Sequence, residues 1–511
     1  MAPPLNILLV TSDQQHWNTL GALNPRINTP ALDRLCAEGT RFDRAYCPNP
    51  TCSPTRASLI TGQYPSRHGC WAIGVKLPED IPTVGEEFTR MGYVTTLIGK
   101  AHFQPLASTP ASSSIECQPL LRDLDYWRAF KGNWYGFQHV ETARMHGHES
   151  HVGQHYALWM EERGLSHWPE FFQRWPPDPD DKYRSHYLRN GSAWDLPEEF
   201  HHSHWVGERT CAHIRQNAAA GRPFFLWSSF FDPHPPYVVP EPWASLYDPE
   251  DMQIGRLCPG ELENMPRHHH LTQQPTPDFS AWNEPGGHNV HGFHSHLHDE
   301  AALKYSMALY YGMVSLMDAN IGRILDTLDD CGLAENTLVV FTSDHGHFVG
   351  HHGLIAKGPF HYEDLIRVPM IVRRPGSVPA GQTSEALQSL VDYPQTFLAA
   401  AGGETPSIMQ GVNQWPAWQG DVSSVRDWAL VENRHNPTTV HLRTLVTEQY
   451  KLTLYRGTGE GELFDLAQDP GETRNLFHDA EYAGLRANLM HRFLQAEMER
   501  ETSSMPRVAG A

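Results

Sequence analysis

"LNILLVTSDQ", residues 5 to 14, is an apolar, β-branched run that ends on a carboxylate and a carboxamide. The same grammar recurs three times. "YVTTLIGKAH" (93–102) ends on Lys100 and His102, "PFFLWSSFFDPHPPY" (223–237) reaches Asp232 and His234, and "TLVVFTSDHG" (337–346) ends on Asp344 and His345. Short continuous apolar runs separated by helical segments, such as 29–39 and 301–328, indicate strands of a parallel sheet covered on both faces. Open α/β sheets gather ligands at the carboxyl ends of their strands, so four neighbouring strands of this kind would bring their polar ends into one crevice.

A chain of 511 residues with 40% hydrophobic content is long enough for one large α/β core and a smaller unit. We place the larger domain at 1–418, with irregular insertions at about 104–221 and 240–299. Beyond Trp418, "WALVENR", "HLRTLVTEQYKLTLYR" and "GELFDL" read as a small antiparallel sheet. A helix follows at about 480–498, which makes 419–511 a small α+β subdomain. The net charge of -20 argues against a nucleic-acid surface, and any anionic substrate then requires a local basic cluster that works against the global field. The opening apolar run, Leu5 to Val10, is too short for a signal peptide or a membrane span, which leads us to expect a cytoplasmic protein with no membrane partner. The eight cysteines lack disulfide-scaffold spacing and contain no C-x-x-C pair, so most are expected to be reduced and buried. Length leaves a homo-oligomer open.

Asp13, Gln14, Asp344 and His345 combine hard oxygen donors with one imidazole, a set suited to one divalent cation, Ca or Mn. Arg56, Lys100 and Lys357 are the basic candidates, and His102 and His234 the proton carriers. A metal with three cations would bind a tetrahedral oxyanion and stabilise charge that develops in a transition state. In "CPNPTCSPTRASLITGQYPSRHG" (47–69), Ser53 reads as a helix N-cap, Pro54 as the first helical residue and Gly62 as the stop. Cys52 then sits at the positive end of a helix dipole beside Arg56, where an anion is stabilised, either a thiolate or a bound oxyanion. Two competing metal readings rest on histidines. "SDHGHFVGHHG" could form a zinc cluster through His347, His351 and His352, whereas His268, His269 and His270 read as a solvated surface tract.

These residues also carry a family resemblance. "CSPTR" resembles the C-x-P-x-R signature of sulfatases, in the alkaline-phosphatase superfamily. Further blocks match in family order: "NILLVTSDQ", the stretch 29–69, "GYVTTLIGKAHF", "FFDPHPPY", "VVFTSDHG", "KGPFHYEDLIRVPMIVRRPG" and "ELFDLAQDPGETRNLF". The resemblance implies an alkaline-phosphatase-like fold and hydrolysis of a small-molecule sulfate ester. It implies that a maturation system oxidises Cys52 to formylglycine, whose metal-bound hydrate is the nucleophile and forms a covalent sulfo-enzyme intermediate. Asp13, Gln14, Asp344 and His345 would then complete the metal site with residue 52. Arg56 would hold the diol, Lys100 and Lys357 the oxyanion, and His234 the leaving group, while His102 would help expel sulfate. Two positions depart from many members: Gln14 stands where a second Asp is usual, and His345 where Asn is usual. Those pairs are similar to phosphonate monoester hydrolases and choline sulfatases, whereas "GKAHF" resembles the Lys-x-His block of true sulfatases. The reading is therefore sulfate ester hydrolysis, with promiscuity toward phosphonate monoesters and phosphodiesters. Phosphonate monoester hydrolysis at the same formylglycine is the alternative, and a non-catalytic oxyanion binder the third reading if Cys52 stays unmodified.

Overall fold

A computed structural model describes residues 3–174, 191–276, 278–282, 300–434 and 439–502. Its main sheet has eight strands: β1 (Asn6–Ser12), β2 (Thr40–Phe42), β3 (Val94–Gly99), β4 (His139–Thr142), β5 (Phe224–Ser229), β6 (Thr337–Ser343), β7 (Met370–Arg373) and β8 (Gln382–Ser384). Their spatial order is β8-β2-β7-β6-β1-β5-β3-β4. The four runs read from the sequence are thus the consecutive, mutually parallel strands β6, β1, β5 and β3. Only β7 runs against its neighbours, pairing antiparallel with both β6 and β2.

Period-two alternation divides each strand between two cores. Leu8, Val10, Leu226, Val339 and Phe341 face the helices α1 (Pro30–Glu38), α4 (His202–Ala220) and α5 (Glu300–Asp330). Ile7, Leu9, Phe225, Trp227, Leu338 and Val340 face the opposite layer, which includes α2 (Cys52–Thr61) and α3 (Val84–Arg90). Because both faces are covered, the strands carry few polar residues before their carboxyl ends, which is why those ends stood out in the sequence.

Three local readings change. The helix that carries Cys52 is capped by Thr51, in extended backbone, and begins at Cys52 itself; Ser53 lies inside its first turn, and no side chain caps it. Gly62, at φ 64°, ends it as expected. The region 104–221 is less irregular than its composition suggests, since it holds edge strand β4 and all of α4, while 175–190 lie outside the described residues. The described part of 240–299 holds only short turns and one helix, Arg267–Leu271, and 277 and 283–299 lie outside the described residues. In that helix His268 and His269 are buried, against the expectation of a solvated tract. They pack on Phe360, Tyr362 and Tyr455, and His269 lies 3.5 Å from Glu462, so aromatic packing and a carboxylate replace solvent.

Strands Ala429–Arg434, His441–Val446, Tyr450–Tyr455 and Gly461–Asp465 form a four-stranded antiparallel meander, and helix Ala483–Glu499 packs on it through Leu489, Phe493 and Ala496. Ala429, Val431 and Val446 enter the same core as Trp418 of the main domain, and Arg426 pairs with Asp392 at 2.6 Å. All eight cysteines are free thiols, five of them buried. Among the described residues, no helix is long and apolar enough to cross a membrane.

The join between β3 and β5 depends on Gly99. Its φ is +100°, and a Cβ there would meet the Ser229 carbonyl oxygen at 1.9 Å. Gly99→Ala should therefore destabilise the protein by about 2–4 kcal/mol, from left-handed strain plus overpacking. Denaturant unfolding would measure the loss, and a stability change within 0.5 kcal/mol, roughly the scatter of neutral surface changes, would refute the assignment.

Candidate active site

Each strand of the central four continues its hydrogen bonding slightly beyond its end, and this fixes the first polar residues. Asp13 N–H donates to the Asp232 carbonyl (3.0 Å), Asp344 N–H to the Ser12 carbonyl (3.3 Å), and Lys100 N–H to the Ser229 carbonyl (2.9 Å). Asp13, Arg56, Lys100, Asp344 and Lys357 consequently meet in one cluster, all nearly or completely buried. Arg56 donates through Nε to Asp344 Oδ2 (2.9 Å) and through Nη1 to the Lys100 carbonyl (2.9 Å) and Ser229 Oγ (2.6 Å). Its Nη2 lies 3.8 Å from Asp13 Oδ2 and has no hydrogen-bond partner. The Lys100 ammonium contacts Asp13 Oδ2 and His146 Nε2.

Lys357 crosses from another loop into the centre. Its ammonium lies 3.0 Å from Gln14 Oε1, 3.2 Å from Cys52 Sγ, 3.1 Å from His234 Nε2 and 3.3 Å from His345 Nε2. Cys52 Sγ is also 3.2 Å from His345 Nε2 and 3.5 Å from Asp13 Oδ1. Ligand atoms of Asp13, Cys52, Asp344 and His345 all fall within 4.8 Å of one another. Gln14, at φ 62°, presents its amide to the same point, and Asp344 Oδ1 accepts its backbone N–H at 3.0 Å. This donor set fits a single divalent ion, because its lone pairs converge on one small region, which the Lys357 ammonium also borders.

Burial sets the protonation states. Desolvation raises the Asp13 carboxyl, but the charges of Lys100, Arg56, Lys357 and His345 outweigh it and hold the group well below the ordinary carboxylate range. Burial pulls His345 down to about 4 and places His102 and His234 well below the usual imidazole value, with nearby cations adding to the effect on both. Neutral imidazoles can ligate a metal or accept a proton. The Cys52 thiol is pushed up by burial and by Asp13, against Lys100 and Lys357, so the helix terminus does not produce the thiolate considered from sequence.

His234 reaches the cluster through Lys357, and His102 lies edge-on to His146 beside it. His102, at φ 60°, is buried with neither ring nitrogen hydrogen-bonded. His234 Nδ1 bonds the Pro235 carbonyl, which turns Nε2 toward Lys357. Asp13, Gln14, Cys52, Arg56, Lys100, His234, Asp344, His345 and Lys357 are thus joined in one cluster, and the His102 ring lies at its side, 6.1 Å from the His146 ring. Two were missed: His146 stacks on His234 at 3.7 Å and is held by Glu149 (2.8 Å), and Arg144, two residues earlier, adds a positive charge that acts on His102. Both follow edge strand β4, whose short, half-polar sequence gave no strand signal.

The zinc alternative does not assemble. His347 Nε2 pairs with the Tyr237 hydroxyl (2.6 Å), whereas His16 and His351 stack at 5.4 Å, with His16 Nε2 2.8 Å from Asp364 Oδ1. His352 is clamped between Glu261, at Nδ1, and Asp364 Oδ2, 3.1 Å from Nε2.

The Sulfatase family model matches residues 5–403, and the model "N-sulphoglucosamine sulphohydrolase, C-terminal" matches 350–499. Among curated proteins, the chain is 30% identical to the uncharacterized sulfatase YidJ of Escherichia coli, over 95% of this chain and 85% of that one. It is 27% identical to an arylsulfatase of Clostridium perfringens, over 97% and 94% of the two chains. Among solved structures, a phosphonate monoester hydrolase from Silicibacter pomeroyi superposes with a TM-score of 0.78 at 24% identity, covering 98% of this chain and 96% of that one, and shares the fold. The large, mostly parallel α/β sheet with its polar strand ends is an alkaline-phosphatase-like fold, and the family match makes the chain a hydrolase built on it. Within it, this chain belongs to the sulfatase family and is a sulfuric ester hydrolase.

His352 supplies a pH test. Burial opposes its charge, but hydrogen bonds and attraction from Asp364 and Glu261 raise its pKa to about 9. A folded-state value above the unfolded one stabilises the protein fully below about pH 6.5, and this is lost as pH rises through about 9. The difference corresponds to about 3 kcal/mol. His352→Gln should remove that slope; unfolding free energies at pH 6 and pH 9.5 that fall equally in wild type and variant would show that the clamp does not titrate as described.

Proposed function

We propose that the chain hydrolyses sulfate monoesters through formylglycine formed from Cys52, with one divalent ion, Ca or Mn, held by Asp13, Gln14, Asp344, His345 and residue 52. The supporting observation is the position of Cys52 Sγ, 3.2 Å from both Lys357 Nζ and His345 Nε2 and 3.5 Å from Asp13 Oδ1, where the metal-type donors meet the basic residues. Together the ion and the formylglycine hydrate supply an activated hydroxyl nucleophile at neutral pH.

The chain's own side chains do the rest. Arg56, fixed by Asp344 and Ser229, keeps Nη2 free to bind an oxygen on residue 52. Lys100 and Lys357 face the ester's non-bridging oxygens and neutralise charge as it builds. His234, oriented by the Pro235 carbonyl, directs Nε2 at the leaving oxygen. An anionic ester beside it opposes the burial and cationic charge that keep the ring neutral, and so raises its affinity for the proton it donates. His102, neutral and without a ring partner, accepts the proton whose removal from residue 52 expels sulfate.

Phosphonate monoesters and phosphodiesters form related trigonal-bipyramidal transition states and are proposed as secondary substrates. The Gln14 and His345 positions support phosphonate monoester hydrolysis as the second reading. Relative kcat/KM for matched aryl sulfates and aryl phosphonates separates the two, and a larger value for the sulfate is expected.

Mass spectrometry of the peptide that contains residue 52 should show conversion of thiol to aldehyde in active protein, and an unmodified thiol in fully active enzyme would defeat the mechanism. Asp344→Ala should lose metal and activity in parallel. His234→Ala should slow poor leaving groups by about 10²–10⁴-fold and acidic phenols far less. An unchanged leaving-group dependence in that variant would remove His234 from the role of proton donor.

A further inference from the structure

Arg144 is the one basic residue at this crevice that has no assigned partner in the reading above. It is 4% exposed, its Nε has no hydrogen-bond partner, and among the described residues no carboxylate forms an ion pair with its guanidinium. Of the acids that attract it, the two with the largest effect, Glu116 and Glu149, are occupied elsewhere. Glu116 accepts the backbone N–H groups of His102 (3.2 Å) and Gln104 (2.6 Å), and Glu149 accepts from His146 Nδ1 (2.8 Å). Arginines are seldom buried without a partner, because the desolvation of a guanidinium is offset only by charge-assisted hydrogen bonds.

Its placement follows from the sheet. Strand β4 pairs parallel with β3 so that Thr142 lies opposite Gly99, and Ala143 N–H reaches the Gly99 carbonyl at 3.4 Å. Arg144 therefore leaves the carboxyl end of β4 as Lys100 and His102 leave that of β3. Its charge acts on His102 and His146, and it feels Cys52 and Asp13 in turn. Yet the transferred group already has three cations, Arg56, Lys100 and Lys357, packed around residue 52. Arg144 is not among them: it lies two residues before His146, whose ring stacks on His234 and whose Nε2 contacts the Lys100 ammonium.

We propose that Arg144 is a specificity-determining residue that binds a second oxyanion, a carboxylate or sulfo group, carried by the alcohol half of the ester. The preferred substrates are therefore dianionic, with the second charge on the leaving group. A guanidinium suits this task because its planar fork bonds two oxygens at once and stays charged when desolvated. This inference rests on the sulfatase reading of the same crevice.

The test uses aryl sulfates in matched pairs that carry, at the same ring position, a carboxylate or its carboxamide. A second set carries a sulfonate or its sulfonamide. Metal-loaded, formylglycine-containing wild type, Arg144→Gln and Arg144→Lys are compared on each pair. Arg144→Gln should lower kcat/KM about 10–100-fold more for the anionic member than for its neutral mate, the range expected when one charge-assisted pair is lost. Arg144→Lys should recover part of the difference. Whichever set shows it names the anion, carboxylate or sulfo. Equal losses on both members would mean that Arg144 serves the transferred group or the fold, and would overturn the proposal, as would no loss on either.

Calorimetric binding of the same intact esters to Cys52→Ala protein, with and without Arg144→Gln, separates this from failure of the sulfatase reading. A preference for the anionic member that Arg144→Gln abolishes supports the anion site even if wild type cleaves none of the esters, which would refute only the sulfatase reading. Turnover by wild type without any such preference in kinetics or binding would refute only the role of Arg144.

Discussion

The buried ion cluster at the carboxyl edge of the sheet is the constraint on which the rest depends. Asp13 and Asp344 are removed from water together with Arg56, Lys100 and Lys357, and no member is more than 2% exposed. Each charge would be strongly destabilising alone, and the cluster persists only because each finds an opposite charge or a fixed dipole within a few ångströms. That tolerance demands backbone precision. The strand ends supply it, because Asp13, Lys100 and Asp344 are all anchored by their own N–H groups to the neighbouring strand. The cluster is thus an extension of the ladder β6-β1-β5-β3, and the apolar cores above and below are what keep that ladder in register.

Sign and protonation follow from the same burial. The chain carries a net charge of -20, yet the ion cluster has three basic groups against two carboxylates, so an anion that reaches it meets a local field opposite to the global one. Low dielectric also keeps the imidazoles neutral. His345 at about 4 keeps a lone pair available as a metal ligand at neutral pH, and His102 stays deprotonated beside cations. Where carboxylates hydrogen-bond both ring nitrogens, the outcome reverses, as at His352. Histidines only seven residues apart in sequence therefore differ in protonation: at His345 desolvation outweighs the attraction of Asp344 and Asp13, whereas at His352 direct hydrogen bonds to Asp364 and Glu261 outweigh it.

This explains what could be read from the amino-acid sequence. Fully buried parallel strands leave continuous apolar runs, so the first polar residue after each run marks a site position; Asp13, Lys100, Asp344 and His345 were legible for that reason. Antiparallel β7 was not, because its four residues come one residue after a two-residue strand, Arg367–Val368, which itself follows a short helix, Glu363–Ile366, and merge with them into one apolar run. The His268–His270 tract misled because imidazole is equally at home in water and against an aromatic wall, and composition does not report the presence of Phe360 or Tyr455. Arg144 and His146 were hidden by the opposite effect. Strand β4 lies at the sheet's edge, and its residues alternate between half-buried and buried, so His139 and Glu141 break the apolar signal.

That difference between central and edge strands also divides the chemistry. Central strands are enclosed on both sides, and a change at their ends disturbs two ladders and a buried charge. An edge strand has one partner and one free side, so the chain beyond it can be lengthened or re-aimed at little cost to the core. Residues that handle a group common to all substrates belong on the former, and residues that meet the variable half of the ester belong on the latter. Arg144 leaves the edge strand one ladder away from Lys100, close enough to sense Cys52 and outside the ion cluster itself. A guanidinium there can change partner between related chains without disturbing Asp13, Asp344 or the backbone bonds that hold them, and selection of the alcohol can therefore vary while the hydrolytic centre stays fixed.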